Sequence, residues 1–478
     1  MNLLLRNHSP SLTYDEIRND DLCIPEELKN SASRIISYAN ISAEQGRTFL
    51  NNLESFRILK DKSIYDPHSR KLLESISKTF FEIYVLVLKR VLSEKNDSRL
   101  LQMFLRYCYM DEKLLKPEQV ISLYELVDQE HGSEENSTYV ITSWLELILN
   151  RKKDPSINQF GQDYYEVFRE MKKRGQMDDR DKAAYDADTN RRLQHEIDNL
   201  LQLGQRLCCG HGGYFPILHS EQINQDITQT LVDNKKISAS LNRILEIDFS
   251  AFHREIVYSV PEKGIKRELI MIPVMPEIIL IPTFGSRGVM WQELTGRVRT
   301  TAGRFIFPIF SGVNLDKLMV EVVARFRWEL SRTMFNYARN DSYQNSLTGD
   351  YSSYIQFYKK NRDLSAEAKE KLKTQIDKHR NNIIEIFTSD YDTWINFEAQ
   401  GLIRLNKVCR EIMFKHCPFS RPVRDQLEKQ PLYTQMITKY NNIRNKENRL
   451  MQAHFAKLTP HGSPMDPNLT HHLNYSQS

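Results

Sequence analysis

The sequence is short of the residues that end helices and strands. It contains 17 glycines and 17 prolines among 478 residues, below the usual frequencies of about 7% and about 5%. An all-β chain needs such turn residues at short intervals, whereas long helices do not. The shortage therefore argues against an all-β fold and predicts a mainly helical one.

Long hydrophobic runs and a disulfide framework are also missing. The apolar stretches Phe80–Leu88 and Leu269–Ile281 are interrupted by charged residues or prolines and fall short of the about 18–20 apolar residues of a membrane span. Three leucines before Arg6 are too few for a secretory signal. Six scattered cysteines are typical of free thiols in a reducing compartment. We therefore expect a cytoplasmic protein without a membrane span.

The familiar catalytic and metal-binding motifs are absent, including HExxH, GxSxG and the phosphate-binding loop GxxxxGK[ST]. His253 and Glu255 have the H-x-E spacing of zinc deaminases, but no P-C-x-x-C follows, and a solvated helix end is the simpler interpretation. The sequence therefore indicates neither catalytic residues nor a cofactor. The nearest cluster of metal-ligand residues is Cys208, Cys209, His211 and His219. Adjacent cysteines rarely bind one tetrahedral ion, so we predict no metal site.

Charge is divided unevenly along the chain. Residues 1–250 hold 33 Lys and Arg against 39 Asp and Glu, whereas residues 251–478 hold 33 against 23. A basic part of this kind can bind an anionic partner, or it can dock on the acidic part of the same chain.

The hydrophobic pattern predicts helices at both ends of the chain and a short β region between them. Ser69–Leu92 is apolar on both sides, as expected for a helix buried among others, and Asn314 is a good N-cap for a long amphipathic helix. Ile256–Val260 and Glu268–Ile281 favour a small hairpin or paired strands. We predict a mainly α fold, with multi-helix N-terminal and C-terminal domains and a small β-containing insert. The segments are 1–150 (N-terminal helical domain), 151–255 (charged connecting helices), 256–310 (β/loop insert), 311–457 (basic C-terminal helical domain) and 458–478 (flexible tail).

Arginine and glycine concentrate within the β insert. Glycine lets backbone amides approach an anion, and a guanidinium can fork onto phosphate or carboxylate oxygens. Three further arginines, Arg325, Arg332 and Arg339, recur every seven residues on the following helix. The alternative to an anion site is that they form ion pairs within this helix on a solvated face. The candidate ligand-binding residues are Arg287, Arg297, Arg299 and Arg304, beside Gly285, Gly288, Gly296 and Gly303.

Aromatic and basic residues interleave from Tyr351 to Arg362, a composition that can stack on bases. At helical spacing, however, Tyr351, Tyr354, Ile355 and Tyr358 form one apolar face, which is more typical of core packing. The pI of about 8.5 also lies below the value of about 9 that marks a nucleic-acid domain. We therefore consider nucleic acid an unlikely partner.

Several strings between about residues 271 and 429 carry a family resemblance. They resemble large, mostly uncharacterised bacterial proteins of clostridia and spirochaetes, some of which carry a cyclic-nucleotide-binding module ahead of a similar region. The resemblance implies no functional residues, and residues 1–250 do not look like such a module. The strings are Arg304–Phe310, Phe326–Leu330, Ser346–Thr348, Tyr354–Ser365 and Arg404–Phe414.

Together these observations predict an intracellular regulatory or scaffold protein that binds a protein partner and a phosphate-bearing small ligand. The alternative is an enzyme with dispersed catalytic residues, in which Arg287, Arg297, Arg299, Arg304 and Glu293 clamp an anionic substrate. The two hypotheses differ in whether these residues converge in one pocket beside a histidine or carboxylate.

Overall fold

The computed structural model describes residues 24–62, 65–96, 98–158, 160–207, 216–218, 220–223, 226–291, 303–335, 346–459 and 464–478. Within them the protein is mainly helical, with nineteen helices and two small sheets of four and two strands. The predicted fold class is confirmed. None of the described helices is long and apolar enough to cross a membrane.

The N-terminal helices surround one long, buried helix. Ser42 caps α2 by accepting a hydrogen bond from the Gln45 amide at 3.2 Å, and Asp66 caps α3 through the Ser69 amide at 2.7 Å. The helix α3 buries residues on more than one side, as its apolar pattern predicts. The helices are α1 (Ser31–Ala39), α2 (Ala43–Arg57), α3 (Pro67–Glu94), α4 (Arg99–Tyr107), α5 (Pro117–Leu126) and α6 (Ile141–Leu149).

A second group of helices connects this part to the strands. The longest member begins at Thr189 and ends at Leu207, where the sequence predicts a stop. The helices are α7 (Tyr164–Lys173), α8 (Asp181–Ala187), α9 (Thr189–Leu207), α10 (Ile227–Thr230) and α11 (Asn234–Ile247).

The strands form a central sheet and a separate hairpin. The sheet has the order β1-β4-β6-β5, with β1, β4 and β6 parallel and β5 antiparallel to β6, while β2 and β3 pair antiparallel. The run Glu268–Ile281 is therefore divided between two sheets. The strands are β1 (Thr138–Val140), β2 (His253–Val260), β3 (Ile265–Pro273), β4 (Glu277–Gly285), β5 (Val289–Trp291) and β6 (Arg304–Ser311).

The four-stranded sheet lies between two hydrophobic cores. Ile279 and Ile281 of β4 pack into the core that contains α3, whereas Ile278 and Leu280 pack into the core of the C-terminal helices. Parallel strands buried on both faces read as continuous apolar runs, which explains the sequence Ile278–Ile281.

The predicted segment boundaries do not coincide with these cores. Thr138 of β1 pairs with Ile278 of β4, so the first predicted segment supplies a strand to the sheet of the β insert. Local periodicity cannot show which distant strands pair, because a parallel connection requires a crossover.

The C-terminal helices pack against the opposite face of the sheet. As predicted, Asn314 caps α12, and its Oδ1 atom accepts a hydrogen bond from the Asp316 amide at 2.7 Å. The helices are α12 (Leu315–Phe335), α13 (Leu347–Phe357), α14 (Ala366–Lys378), α15 (Ile383–Asn396), α16 (Lys407–His416), α17 (Arg421–Leu427), α18 (Pro431–Leu458) and α19 (Pro467–Gln477).

The prediction of a flexible tail over 458–478 is wrong for the described part of that segment. Pro467 occupies the first turn of α19, and Asp466 caps it by accepting a hydrogen bond from the Asn468 amide. Leu469 and Leu473 pack with Ile270 and Phe455. The segment has few apolar residues, but their i, i+4 spacing places them on one face.

Candidate functional site

The arginine–glycine segment begins in the turn between β4 and β5. Arg287 is exposed in this turn. A Cβ atom at Gly288 would lie 2.6 Å from Phe307 and Val322 side-chain atoms, and one at Gly285 would lie 2.9 Å from the Leu207 carbonyl oxygen. These two glycines are therefore explained by close packing. Arg297, Arg299, Glu293 and Gly296 lie outside the described residues.

Arg304 is a buried structural residue, which corrects its assignment to an anion site. Its Nε atom donates to Glu277 Oε2 at 3.0 Å, Nη1 to Ser156 Oγ at 2.6 Å and Nη2 to the Asp154 carbonyl at 2.8 Å. The guanidinium also lies 4.6 Å from the centre of the Trp144 ring. These hydrogen bonds join the start of β6 to β4 and to the loop after α6.

Arg287 and Arg304 also differ in their surroundings. Arg287 is exposed in the turn that follows Gly285, and Gly285 pairs with Ser311 at the end of β6. Arg304 begins the same strand and is buried. The substrate clamp of the enzyme hypothesis therefore loses Arg304.

The helical arginines likewise serve the fold. Arg325 pairs with Glu385 of α15 at 2.9 Å instead of within its own helix. Arg327 is buried and donates to the Ser250 carbonyl, to Ser250 Oγ and to the His416 carbonyl. The side chain of Arg332 and all of Arg339 lie outside the described part.

Metal binding finds no support in the described part of the chain, where no group of three or more His, Cys, Asp or Glu side chains could hold an ion. The cluster of Cys208, Cys209, His211 and His219 falls outside it. His253 lies half-buried at the start of β2, not at a solvated helix end as expected.

A partly buried group of charged side chains lies between α13 and α16. Asp350 Oδ2 accepts hydrogen bonds from Lys415 Nζ at 2.7 Å and from His416 Nε2 at 2.8 Å. Burial lowers the pKa of His416, although the bond to Asp350 opposes this change. The pair orients the imidazole, as a general acid or base requires, whereas Arg304 bonds Glu277, Ser156 and the Asp154 carbonyl instead.

The aromatic residues of the 351–362 stretch pack in the core, as predicted. Tyr351, Tyr354, Ile355 and Tyr358 are buried, and the Tyr351 hydroxyl donates to Asp390 Oδ2 at 2.7 Å. This use of the aromatic face leaves it unavailable for stacking on bases.

The most unusual surface lies on α18. Its outer side carries a line of exposed residues spaced by seven, four, three, four and three positions, which is the 3.5-residue period of a coiled-coil seam. At about 100° per residue, they fall within about 80° of one another. We call this line the α18 seam: Leu432, Lys439, Ile443, Lys446, Leu450 and Ala453.

The sequence predicts the helix around Leu432–Lys457 but not the exposure of the seam. Its period is visible in the sequence, where it is equally typical of a buried face. The structure shows that Tyr433, Ile437 and Phe455 are the buried residues of α18, so the seam lies on the other side.

Comparison with known families adds one partial match. The family model of a domain of unknown function, DUF8509, matches residues 336–475, a region that includes α13 through α18 and most of α19. No curated protein and no solved structure matches the chain. The resemblance to clostridial and spirochaetal proteins stays a prediction. Over residues 336–475, then, the chain is similar to a domain of unknown function.

Proposed function

We propose that this protein is a scaffold or regulatory protein whose α18 seam binds an acidic amphipathic helix of a partner protein. One observation carries the proposal: large apolar and basic side chains alternate along an exposed helix face with the period of a coiled coil. The same segment lies inside the region that is similar to a domain of unknown function.

The apolar members of the seam are unusually exposed for their size. Leu432, Ile443 and Leu450 are 46%, 48% and 64% exposed. Single exposed apolar residues need no explanation, but aligned ones favour an interaction surface. Leu432 and Leu450 are 18 residues apart, or about 27 Å along the helix, a length that suits a partner helix of five turns.

The positive charge of the α18 seam indicates that its partner is acidic. Lys439 and Lys446 alternate with the apolar members, and α18 as a whole has five Lys and Arg residues against one Glu. A partner helix with carboxylates opposite these lysines would pair with them. In a parallel association of two copies each lysine would face its own equivalent, and like charges at that position are repulsive.

An anionic membrane surface is the rival occupant, because a basic amphipathic helix can also bind lipid headgroups. Interfacial helices, however, present a broad apolar face that often includes Trp or Phe. The seam is a narrow line without an aromatic residue. This geometry favours a protein helix.

The proposal can be tested with a defined probe. A fluorescent 28-residue peptide would carry leucine and glutamate alternately along one line at the 3.5-residue period. We expect it to bind the full chain and to bind less tightly as salt rises. A peptide with lysine in place of each glutamate should bind at least tenfold more weakly.

Variants of the seam supply the controls. Ile443→Ser with Leu450→Ser, and separately Lys439→Glu with Lys446→Glu, should each weaken peptide binding by tenfold or more. Leu86→Ser and Lys71→Glu on α3 are matched controls, because both residues are exposed. Equal binding by seam and control variants would contradict the proposal. Binding to anionic vesicles, but not to the peptide, would assign the seam to a membrane surface.

The phosphate-bearing ligand remains a separate proposal that rests on Arg287, Arg297 and Arg299. The exposure of Arg287 supports it. A thermal-shift screen against nucleotides, cyclic nucleotides and phosphosugars should show stabilisation that Arg297→Gln with Arg299→Gln abolishes. A cytoplasmic location also belongs to the proposal, supported by the buried free thiols of Cys108, Cys409 and Cys417.

A further inference from the structure

Helix α19 docks on the hairpin and on the inner side of α18. Its apolar residues pack with Ile270 and Phe455. Its first turn is held by Tyr258, whose hydroxyl donates to Asp466 Oδ1 at 3.0 Å. Farther along, Asn448 of α18 donates to the Ser476 carbonyl at 2.9 Å. The helix therefore joins β2, β3 and α18.

Histidine rings occupy the middle of this interface. The rings of His253 on β2 and His471 on α19 are nearly parallel, with centres 5.5 Å apart, and the Tyr475 ring lies 4.7 Å from His253. The atoms His253 Nδ1 and His471 Nε2 are buried and have no hydrogen-bond partner in the described part of the protein. Neutral rings suit this arrangement, because an imidazolium has two N–H donors that both need acceptors.

A third histidine depends directly on its neutral form. The Met271 amide of β3 donates to His472 Nδ1 at 3.0 Å. Only an unprotonated ring nitrogen can accept this hydrogen bond. Protonation of His472 at Nδ1 therefore replaces an attraction between α19 and β3 by a repulsion between two N–H groups.

The charged groups around His253 and His472 disfavour an added proton on either ring. Arg327 of α12 faces His253, and Arg444 of α18 faces His472. Burial, His471 and Arg327 lower the pKa of His253 to about 4, opposed only in part by a hydrogen bond to the Phe249 backbone. Burial, Arg444 and His471 likewise lower the pKa of His472 to about 4. Asp248 Oδ2 lies 3.9 Å from the Nε atom of Arg327.

We propose that His253 and His472 form an acid-sensitive latch, which holds α19 while both rings are neutral and releases it when they become protonated. When α19 is released, His472 would regain a pKa of about 6.5, and the pKa of His253 would rise toward that value as it loses the burial and His471 that lower it. The released form then binds protons more readily, so docking is strongest above about pH 6.5 and weakens as pH falls toward about 4. Each histidine contributes up to about tenfold per pH unit.

Release would act on the α18 seam, and this consequence rests on the proposed function. Met451 and Phe455 of α18 pack in the small cluster that α19 completes. Without α19, the C-terminal half of α18 loses part of its support, and the seam residues Leu450 and Ala453 lie in that half. Acid release would therefore weaken partner binding.

Hydrogen exchange with mass spectrometry on the full chain tests the latch without any partner. After correction for the intrinsic effect of pH on exchange, we expect the protection of residues 467–477 to fall by up to about a hundredfold between pH 6 and 5 through two histidines. The helix α3 should stay protected over the same range. Protection of α19 that persists at pH 5, or that is lost only together with α3, would overturn the latch.

Variants identify the responsible rings. His253→Phe keeps an aromatic ring, and His472→Gln keeps an acceptor for the Met271 amide, so the double variant should keep α19 protected at pH 5. His454→Gln is the control, because His454 is about half-exposed and bonds Glu268 at 3.0 Å. If α19 of the double variant lost its protection over the same pH range as in the wild-type chain, the latch would be refuted.

A direct measurement covers the case in which the double variant does not fold. Deuteration of the histidine ring carbon, followed by mass spectrometry of the wild-type chain, reports the pKa of each histidine. Values well below 6 for His253 and His472 are expected, and ordinary values near about 6.5 would refute the latch. Because the peptide of the seam is not used, failure here would leave the proposed function standing.

Discussion

The helices α3 and α18 have the same length and opposite surroundings. Both span 28 residues and both begin with proline. Nine residues of α3 are buried, whereas only Tyr433, Ile437 and Phe455 are buried in α18. A long helix of the first kind is explained by the core it fills. A long helix such as α18, with few buried residues, leaves most of its surface outside the core.

The way in which α18 is attached sharpens this difference. At its start, Tyr433 donates a hydrogen bond to the buried carboxylate of Glu398. Near its end, Phe455 packs with the hairpin and α19. Both contacts lie toward the ends of the helix. The seam residues are exposed, so we expect the seam to contribute little to stability.

The largest loss of stability is expected from a substitution in the core around α3. Phe80 is fully buried, and its ring lies 5.3 Å from that of Phe104. Phe80→Ala should lower the free energy of unfolding by about 3–5 kcal/mol, because it removes buried surface and leaves a cavity. Urea denaturation followed by circular dichroism measures this change. A loss below about 1 kcal/mol would show that α3 is not the centre of a tight core.

A buried charge beside the same core should matter nearly as much, because Arg304 packs on Trp144, which shares a core with Phe80. Arg304→Met would leave the carboxylate of Glu277 buried with Lys153 as its remaining cation. We expect a loss of about 3 kcal/mol in the same denaturation experiment, because removing one partner of a buried ion pair strands the other. Arg287→Met is the exposed control and should change stability by about 0.5 kcal/mol or less. An equally stable Arg304→Met variant that lost phosphate binding would restore Arg304 to the anion site.

A smaller loss is expected where α18 is anchored. Burial alone would raise the pKa of Glu398, but hydrogen bonds from Arg410, Tyr433 and the amides of Leu405 and Arg404 lower it. The stability that this carboxylate provides is therefore present above the unfolded value of about 4.3 and lost as pH falls through the lower folded pKa. Glu398→Gln should cost about 1.5–3 kcal/mol at pH 7. The difference from wild type should shrink below about pH 4, and a constant difference would contradict the assigned pKa shift.

Local sequence patterns predicted the helices well because a helix is formed by contacts between near neighbours. The apolar sides of α3, the cap at Asn314 and the buried face of Tyr351 and Tyr354 all belong to this class. The tail was wrong for the opposite reason: Leu469 and Leu473 are too few to order a helix alone and depend on Ile270 and Phe455, about 200 and 15 residues away.

The sheet and the candidate sites depend on long-range contacts that the sequence pattern does not contain. Pairing of Thr138 with Ile278 could not be inferred from either segment. The same holds for Arg304, whose partners Asp154 and Ser156 lie about 150 residues earlier, and for the meeting of His253 with His471. The seam is the exception, because its period is written in one helix and only its exposure required the structure.

The smallest expected effect falls on the seam itself. Leu450 is 64% exposed, so Leu450→Ala removes little buried surface and replaces leucine by the best helix former. The free energy of unfolding should change by about 0.5 kcal/mol or less, while binding of the acidic peptide weakens measurably. The substitution at Leu450 would thus weaken binding without lowering stability. At Phe80, by contrast, we expect a loss of stability although the residue has no direct contact with a partner. If Leu450→Ala instead destabilised the chain by 2 kcal/mol or more, α18 would be a core helix like α3, and the case for a free seam would be lost.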